Sequence, residues 1–295
     1  DELVGVGEVV AGQDADGEPA RLLRAAAGLA HHPAAAARDE GVAARCDFAP
    51  DLIGEAQRLP LRFVTADYAD QHARMIASAP PMTETPDATE LSLPSERGPI
   101  LCAYHAAPDA DTAVIMVGGG DGGLDGPAEA LYPDLSADLA RAGIAALRVD
   151  FRIHQFPGDV EEAVHDVLAG LSFLAGEGIE RAGLLGHSFG GAVMIEAAVR
   201  APAVASVATL ATQTAGAQRV GELAPRPLLL IHGLRDIRLT PDCSRMLHEM
   251  AGEPKRLELL EEATHSLRQR REDVRRIVLD WFVDTLGASA PGPSR

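Results

Sequence analysis

Leu184-Leu185-Gly186-His187-Ser188-Phe189-Gly190-Gly191-Ala192-Val193 is the stretch that decides how this chain reads. Gly186 to Gly190 fits G-x-S-x-G, a pentapeptide that is common and weak when it stands alone. Its setting gives it weight. An apolar strand runs into it and an apolar helix leaves it, so Ser188 falls on a sharp strand-to-helix turn. Such a turn exposes the hydroxyl and aims the following backbone N–H at the same carbonyl. Glycines on both sides relieve the crowding that a Cβ would bring there. The helix N-terminus adds partial positive charge where an oxyanion would form. The competing reading is a tight turn with an incidental serine, and the rest of the chain has to decide between the two.

Outward from that turn, apolar runs of strand length alternate with segments of helical periodicity. Strands are expected at 100–104, 113–117, 145–149, 182–185, 204–210, 227–231 and 256–260, and helices at 127–142, 160–175, 190–200, 241–250 and 274–286. This alternation is that of a mostly parallel sheet covered by helices, an α/β architecture. Ala113-Val114-Ile115-Met116-Val117 is apolar throughout, as a strand buried on both faces should be. Ala163, Val164, Val167, Leu168, Leu171 and Leu174 recur at the spacing of one helical face. The connections are short, which leaves little room for a lid and predicts an open site.

A serine of this kind needs a base and an orienting acid, in the chain order Ser, Asp, His. Asp236 follows the strand expected at 227–231, in Ile231-His232-Gly233-Leu234-Arg235-Asp236. That places it at the carboxyl edge of the sheet, beside the serine turn. Its alternative, capping the helix that starts near 241, suits Thr240 better. His265 follows the next strand, in Ala263-Thr264-His265-Ser266, and reaches the same edge. Of the ten histidines, His232 and His154 also lie at strand ends, but neither is downstream of the acid.

Gly118-Gly119-Gly120-Asp121-Gly122-Gly123 follows the strand expected at 113–117. Read literally it contains G-x-G-x-x-G, and Asp150 ends the next strand as a ribose-binding acid would, so an NAD(P)-binding oxidoreductase is the rival reading. A dinucleotide turn should open a helix at once, whereas Leu124-Asp125-Gly126-Pro127 intervenes here. In a hydrolase the same turn supplies the second oxyanion donor. Phe189 and Gly120 are the expected N–H donors, with Gly119 beside them. Asp121, Arg152, His154 and Gln213 lie on loops at the catalytic edge and are the expected substrate contacts, with polar residues facing water as the alternative.

The 46% hydrophobic and 24% charged content is that of an ordinary globular protein, and 295 residues allow one large domain or a large and a small one. A formal charge of −18 argues against a nucleic-acid partner and against adsorption to anionic membranes. No apolar run approaches the roughly 20 residues that span a bilayer. No signal-like stretch follows Asp1, so the expectation is a cytoplasmic protein. Cys46, Cys102 and Cys243 lie far apart, which predicts reduced thiols rather than a disulfide framework or a metal cluster. No metal and no cofactor are expected. The expected partner is a small-molecule substrate, and homo-oligomerisation is left open.

The segment from Thr83 to Glu96, with Pro86 and Pro94, is polar and suits a linker or an exposed entry strand. It sets a boundary near residue 86, with a small N-terminal α/β accessory domain and linker at 1–86 and the catalytic domain at 87–295.

Over residues 88–287 the chain resembles α/β hydrolases of the dienelactone-hydrolase type. The likeness is carried by the glycine-rich Val117–Gly123, by Gly186-His187-Ser188-Phe189-Gly190-Gly191, by Ile231–Asp236 and by Ala263-Thr264-His265. The resemblance implies an eight-stranded, mostly parallel sheet, a minimal cap, and ester or lactone hydrolysis without a metal. The chain departs from the pattern twice. The namesake enzymes carry a cysteine nucleophile where this chain has Ser188, which speaks against dienelactone itself as substrate. The histidine that often opens the oxyanion turn is here Gly118. Residues 1–86 are similar to the C-terminal domain of cobalamin-biosynthesis proteins of the CbiG/CobE type, through Val4-Gly5-Val6-Gly7 and Arg58-Leu59-Pro60-Leu61-Arg62-Phe63-Val64. No functional residue is carried over from that likeness.

The expected activity is hydrolysis of a carboxylic ester, lactone or thioester through an acyl-enzyme on Ser188, with Asp236 and His265 completing the triad. An acyltransferase, or a non-catalytic binding protein on the same fold, would use the same scaffold.

Overall fold

The computed structural model describes residues 88–155 and 158–287. The N-terminal unit expected at 1–86, and its boundary, lie outside the described residues.

Eight strands form one sheet: β1 (Thr89–Leu93), β2 (Ile100–His105), β3 (Thr112–Val117), β4 (Ala145–Val149), β5 (Arg181–His187), β6 (Val204–Leu210), β7 (Leu228–Gly233) and β8 (Lys255–Leu260). Their order is β1-β2-β4-β3-β5-β6-β7-β8. β1 pairs with β2 and β2 with β4 antiparallel, and every other pairing is parallel. β1 is the entry strand that the polar segment after Thr83 allowed for. β3 and β7 are buried along their whole length, as expected of inner strands covered on both faces.

Among the described residues five helices cover the sheet: α1 (Pro127–Arg141), α2 (Val160–Gly176), α3 (Phe189–Arg200), α4 (Asp242–Met250) and α5 (Arg271–Leu286). α2 and α3 bury their apolar faces in one core, which holds Ile115, Leu147, Leu184 and Val207 from the sheet. α1 and α5 lie in the other, against Val114, Met116, Ala146 and Leu185. The alternation along each strand sends successive side chains to opposite cores. Asp159 caps α2, its carboxylate accepting from the N–H groups of Glu161 and Glu162 at 3.0 and 3.2 Å.

α1 departs from the regular helix expected at 127–142. Ala128, Glu129 and Ala130 have φ of 55°, 58° and 60°, so the first turn is left-handed and right-handed geometry begins at Leu131. Pro133 explains part of this. In a helix that began at 127 its ring would obstruct the interior, whereas two residues into the right-handed segment its missing N–H costs nothing. The left-handed turn is held from outside: the Ala128 N–H donates to the Ser266 carbonyl at 2.9 Å, and Arg271 Nε donates to the Ala128 carbonyl at 3.0 Å.

Register aligns the functional edge. Val117 of β3 pairs with Gly186 of β5, Gly186 with Thr209 of β6, and Gly233 of β7 with Leu260 of β8. The loops that leave β3, β5, β6, β7 and β8 therefore emerge at a common carboxyl edge. Among the described residues, no helix is long and apolar enough to cross a membrane.

Candidate active site

Ser188 stands between β5 and α3 with φ 56° and ψ −118°, a conformation that costs a non-glycine residue about 1–3 kcal/mol. The surroundings enforce it. Its N–H donates to the Leu210 carbonyl at 2.8 Å, and its carbonyl accepts from Gly191 N–H at 3.1 Å and Thr212 Oγ1 at 3.2 Å. A Cβ at Gly186 would collide with the Gly190 carbonyl, and one at Gly190 with the Gly118 carbonyl. Both glycines are thus fixed by close backbone approach, as expected from the sequence around the serine.

Ser188 Oγ lies 3.0 Å from His265 Nε2, and His265 Nδ1 lies 2.7 Å from Asp236 Oδ2. The three residues predicted from chain order are therefore brought together in hydrogen-bonding sequence. Asp236 is buried, and its Oδ1 accepts the N–H groups of Arg238 and Leu239 at 2.9 and 3.1 Å. Burial alone would raise its pKa, but hydrogen bonds from His232 and His265 outweigh it and hold the carboxyl below the ordinary value. The loops that carry Asp236 and His265 are also joined through backbone, Arg235 N–H donating to the Ala263 carbonyl at 2.9 Å.

Two further histidines shape the site. His232 is fully buried; its Nδ1 lies 2.7 Å from Ser244 Oγ, and its Nε2 faces the Leu239 carbonyl at 2.9 Å and Asp236 Oδ2 at 3.2 Å. An Nε2–H tautomer satisfies all three contacts, with Ser244 donating to Nδ1. His232 is thus a buried hydrogen-bond partner of Asp236, the expected acid. His187, inside the pentapeptide, donates Nε2–H to the His265 carbonyl at 3.0 Å, and the two rings lie 4.9 Å apart. Burial and the neighbouring His265 push its pKa down to about 4, so it is neutral at pH 7. Sequence offers a weak signal for His232, its place at a strand end, and none for His187.

The expected oxyanion donors lie around the serine. Phe189 opens α3, its ring packed edge-on to Phe151 at 5.7 Å. A Cβ on Gly119 would sit 3.5 Å from Ser188 Cβ and 3.4 Å from His187 Nδ1, so this glycine passes directly beside Ser188. Gly120 follows it, facing the Gln155 carbonyl. Tyr132, on α1, supports the turn from below, its hydroxyl donating to the Val117 carbonyl at 2.9 Å.

The remaining expected contacts are engaged with the scaffold. Arg152 is nearly buried and binds Asp166, Glu162 and the Arg97 carbonyl. His154 Nε2 pairs with Asp150 at 2.7 Å, and Gln213 Nε2 donates to the Ala215 carbonyl at 2.8 Å. Asp121 is exposed on the glycine turn. Asp150 also accepts from Gly123 N–H at 2.6 Å, so the carboxylate required by the dinucleotide reading is occupied within the turn itself. A groove of about 560 Å³ beside α2, lined by Gln155, Val160, Glu196, Arg200 and Gly216 among others, does not include the triad. Among the described residues no group of three or more His, Cys, Asp or Glu side chains could hold a metal ion.

Solved structures of the same architecture include a dienelactone hydrolase from Anabaena variabilis, with a TM-score of 0.59 at 18% identity over 68% of this chain and 99% of that one. Est1E from Butyrivibrio proteoclasticus superposes with a TM-score of 0.58 at 14% identity, again over 68% and 99%. The esterase domain of a Rhodothermus marinus protein gives 0.55 at 20% identity over the same shares. At these identities the likeness is one of fold. No curated protein matches the chain in sequence. The sequence model of the "Alpha/beta hydrolase family", however, matches residues 114–294, more than half of the chain and all three proposed catalytic positions, and the chain belongs to that family.

Proposed function

We propose that the protein is a serine hydrolase that cleaves a carboxylic ester, lactone or thioester through an acyl-enzyme on Ser188. The observation that carries this reading is the unbroken relay Ser188 Oγ–His265 Nε2–Asp236 Oδ2, at 3.0 and 2.7 Å. In the first step Ser188 Oγ bonds to the carbonyl carbon while His265 Nε2 takes its proton. Asp236 keeps the proton of His265 on Nδ1 and stabilises the imidazolium that forms. The tetrahedral oxyanion is held by the N–H of Phe189 and by that of Gly119 or Gly120, a contribution of roughly 3–4 kcal/mol per donor. Collapse breaks the bond to the leaving alcohol or thiol, which receives the proton from His265. Water, deprotonated by the same imidazole, then attacks the acyl-enzyme, and Ser188 leaves with the proton restored.

The test is labelling with a fluorophosphonate, followed by peptide mapping. The adduct is expected on Ser188 and absent from Ser188→Ala. If the wild-type protein melts cooperatively yet takes up no label and turns over no p-nitrophenyl ester of graded acyl length, the reading is wrong.

A further inference from the structure

The loop that leaves β4 grips the glycine turn that leaves β3. Asp150 Oδ1 accepts two hydrogen bonds at once, from the backbone N–H of Gly123 at 2.6 Å and from His154 Nε2 at 2.7 Å. The His154 ring lies against Gly122, where any Cβ would collide with Nε2, Cδ2 and Cε1, and Gly122 itself has φ +70°. The N–H of Gly122 in turn donates to the Gly119 carbonyl at 3.1 Å, closing the turn that carries Gly119 and Gly120. Gln155, the next residue of the gripping loop, places its carbonyl against Gly120. Phe151, from the same loop, packs on Phe189.

We infer that Asp150 and His154 are positioning residues for the oxyanion turn, holding Gly122 and Gly123 so that the N–H groups of Gly119 and Gly120 stay aimed beside Ser188. This rests on the serine-hydrolase reading and extends it. An ordinary surface ion pair contributes little, and the 42% exposed side chain of His154 would fit that description by itself. What sets this pair apart is its target: the shared Oδ1 oxygen binds backbone of the turn, four residues from Gly119. A donor turn that is free to shift loses interactions made only in the transition state, so the loss falls on kcat and not on KM.

The experiment compares Asp150→Ala, Asp150→Asn and His154→Ala with wild type in ester turnover and in the rate of phosphonylation of Ser188. Removing an oxyanion donor outright costs about 10²–10³ in kcat. Loosening the turn is expected to cost less, about 10- to 100-fold in Asp150→Ala, with KM changed by less than about twofold and phosphonylation slowed in parallel. Asp150→Asn retains an Oδ1 acceptor for both donors and is expected to recover most of that loss. His154→Ala lies at the surface, folds, and is expected to show a smaller loss of the same kind. A double-mutant cycle adds a second reading of the contact. Gly122→Ala should damage turnover strongly in the wild-type background, and less once His154→Ala has removed the ring, because the strain of positive φ is common to both. Unchanged kcat in Asp150→Ala and His154→Ala, an additive cycle, or losses that appear in KM alone overturn the inference while wild-type turnover leaves the hydrolase reading intact. If wild type itself is neither labelled nor active, the hydrolase reading fails and this inference falls with it.

Discussion

Replacing Asp236 by asparagine changes one heavy atom and should silence the site without unfolding it. Oδ1 accepts from Arg238 and Leu239 N–H, so the carbonyl oxygen of the new amide stays on that side. The amino group then takes the place of Oδ2 and meets His265 Nδ1 and His232 Nε2, both of which donate in the native site. His232 resolves the clash of donors by keeping its bond to the Leu239 carbonyl. His265 can resolve it only by moving its proton to Nε2, which then faces Ser188 Oγ as a donor and can no longer act as a base. A wrong tautomer of this kind costs about 10⁴ in kcat, or about 5.4 kcal/mol at 1.36 kcal/mol per decade. Two side-chain contacts weakened and no backbone bond lost predict only about 1–2 kcal/mol of stability. The assay is kcat for an activated ester together with urea unfolding of the same sample. Asp236→Ala is the companion variant: it should lose comparable activity but more stability, because Arg238 and Leu239 N–H are left without an acceptor. A folded Asp236→Asn variant that keeps kcat within tenfold of wild type would falsify the orienting role.

His187 predicts how stability follows pH. Its folded pKa of about 4 lies below the ordinary 6.5, so stability from its neutral burial is complete above pH 6.5 and is lost as pH falls from 6.5 towards 4, where the unfolded chain alone takes up the proton. The ceiling is about 3 kcal/mol, reduced by the partial exposure of the ring, and urea unfolding at several pH values should show a flatter profile for His187→Gln. Asp236, whose carboxyl is lowered, should contribute a separate loss only as pH falls below about 3.8. Gly190→Ala would drive a Cβ into the Gly118 carbonyl and to 2.8 Å from Val117 Cγ2; a loss of about 1–3 kcal/mol or more is expected in calorimetry, and an unchanged Tm would contradict the packing of the turn. Arg152→Ala leaves the buried Asp166 without its cation and should destabilise by about 3–5 kcal/mol with kcat and KM of the folded protein unchanged, whereas a raised KM would restore Arg152 as a substrate contact.

What the sequence made legible was what depends on order and periodicity. Strand ends can be read from apolar runs, and a parallel sheet places successive strand ends on one edge, so Ser188, Asp236 and His265 could be placed together without seeing a contact. The residues around them could not. His187 acts on a partner 78 residues away, and nothing local distinguishes it from any polar residue at that position. Arg152 illustrates a further limit: its place at a strand end says that it emerges at the sheet's carboxyl edge, but not that Asp166 binds it. A signal did exist, since Asp166 is a carboxylate inside the apolar stripe between Val164 and Val167, and such a group requires a cation. The left-handed beginning of α1 is not legible in the pattern, because periodicity reports which residues are buried and not the hand of the turn. Pro133 was the clue, lying too far inside a helix begun at 127.

That left-handed turn has a consequence for how the site can move. Three consecutive L-residues in this conformation hold roughly 3–6 kcal/mol of unfavourable backbone energy, at about 1–2 kcal/mol each. They persist because Ser266, the neighbour of the base, and Arg271 of α5 grasp Ala128 from both sides. Swinging the His265 loop outward would release the turn, so the wall formed by α1, the base loop and α5 behaves as a spring under load, rigid while it is latched. Changes in substrate size should then be accommodated on the opposite wall, by the loop after β6 where Gly216 faces Val160, before either the His265 loop or the β4 loop that holds the glycine turn yields its place.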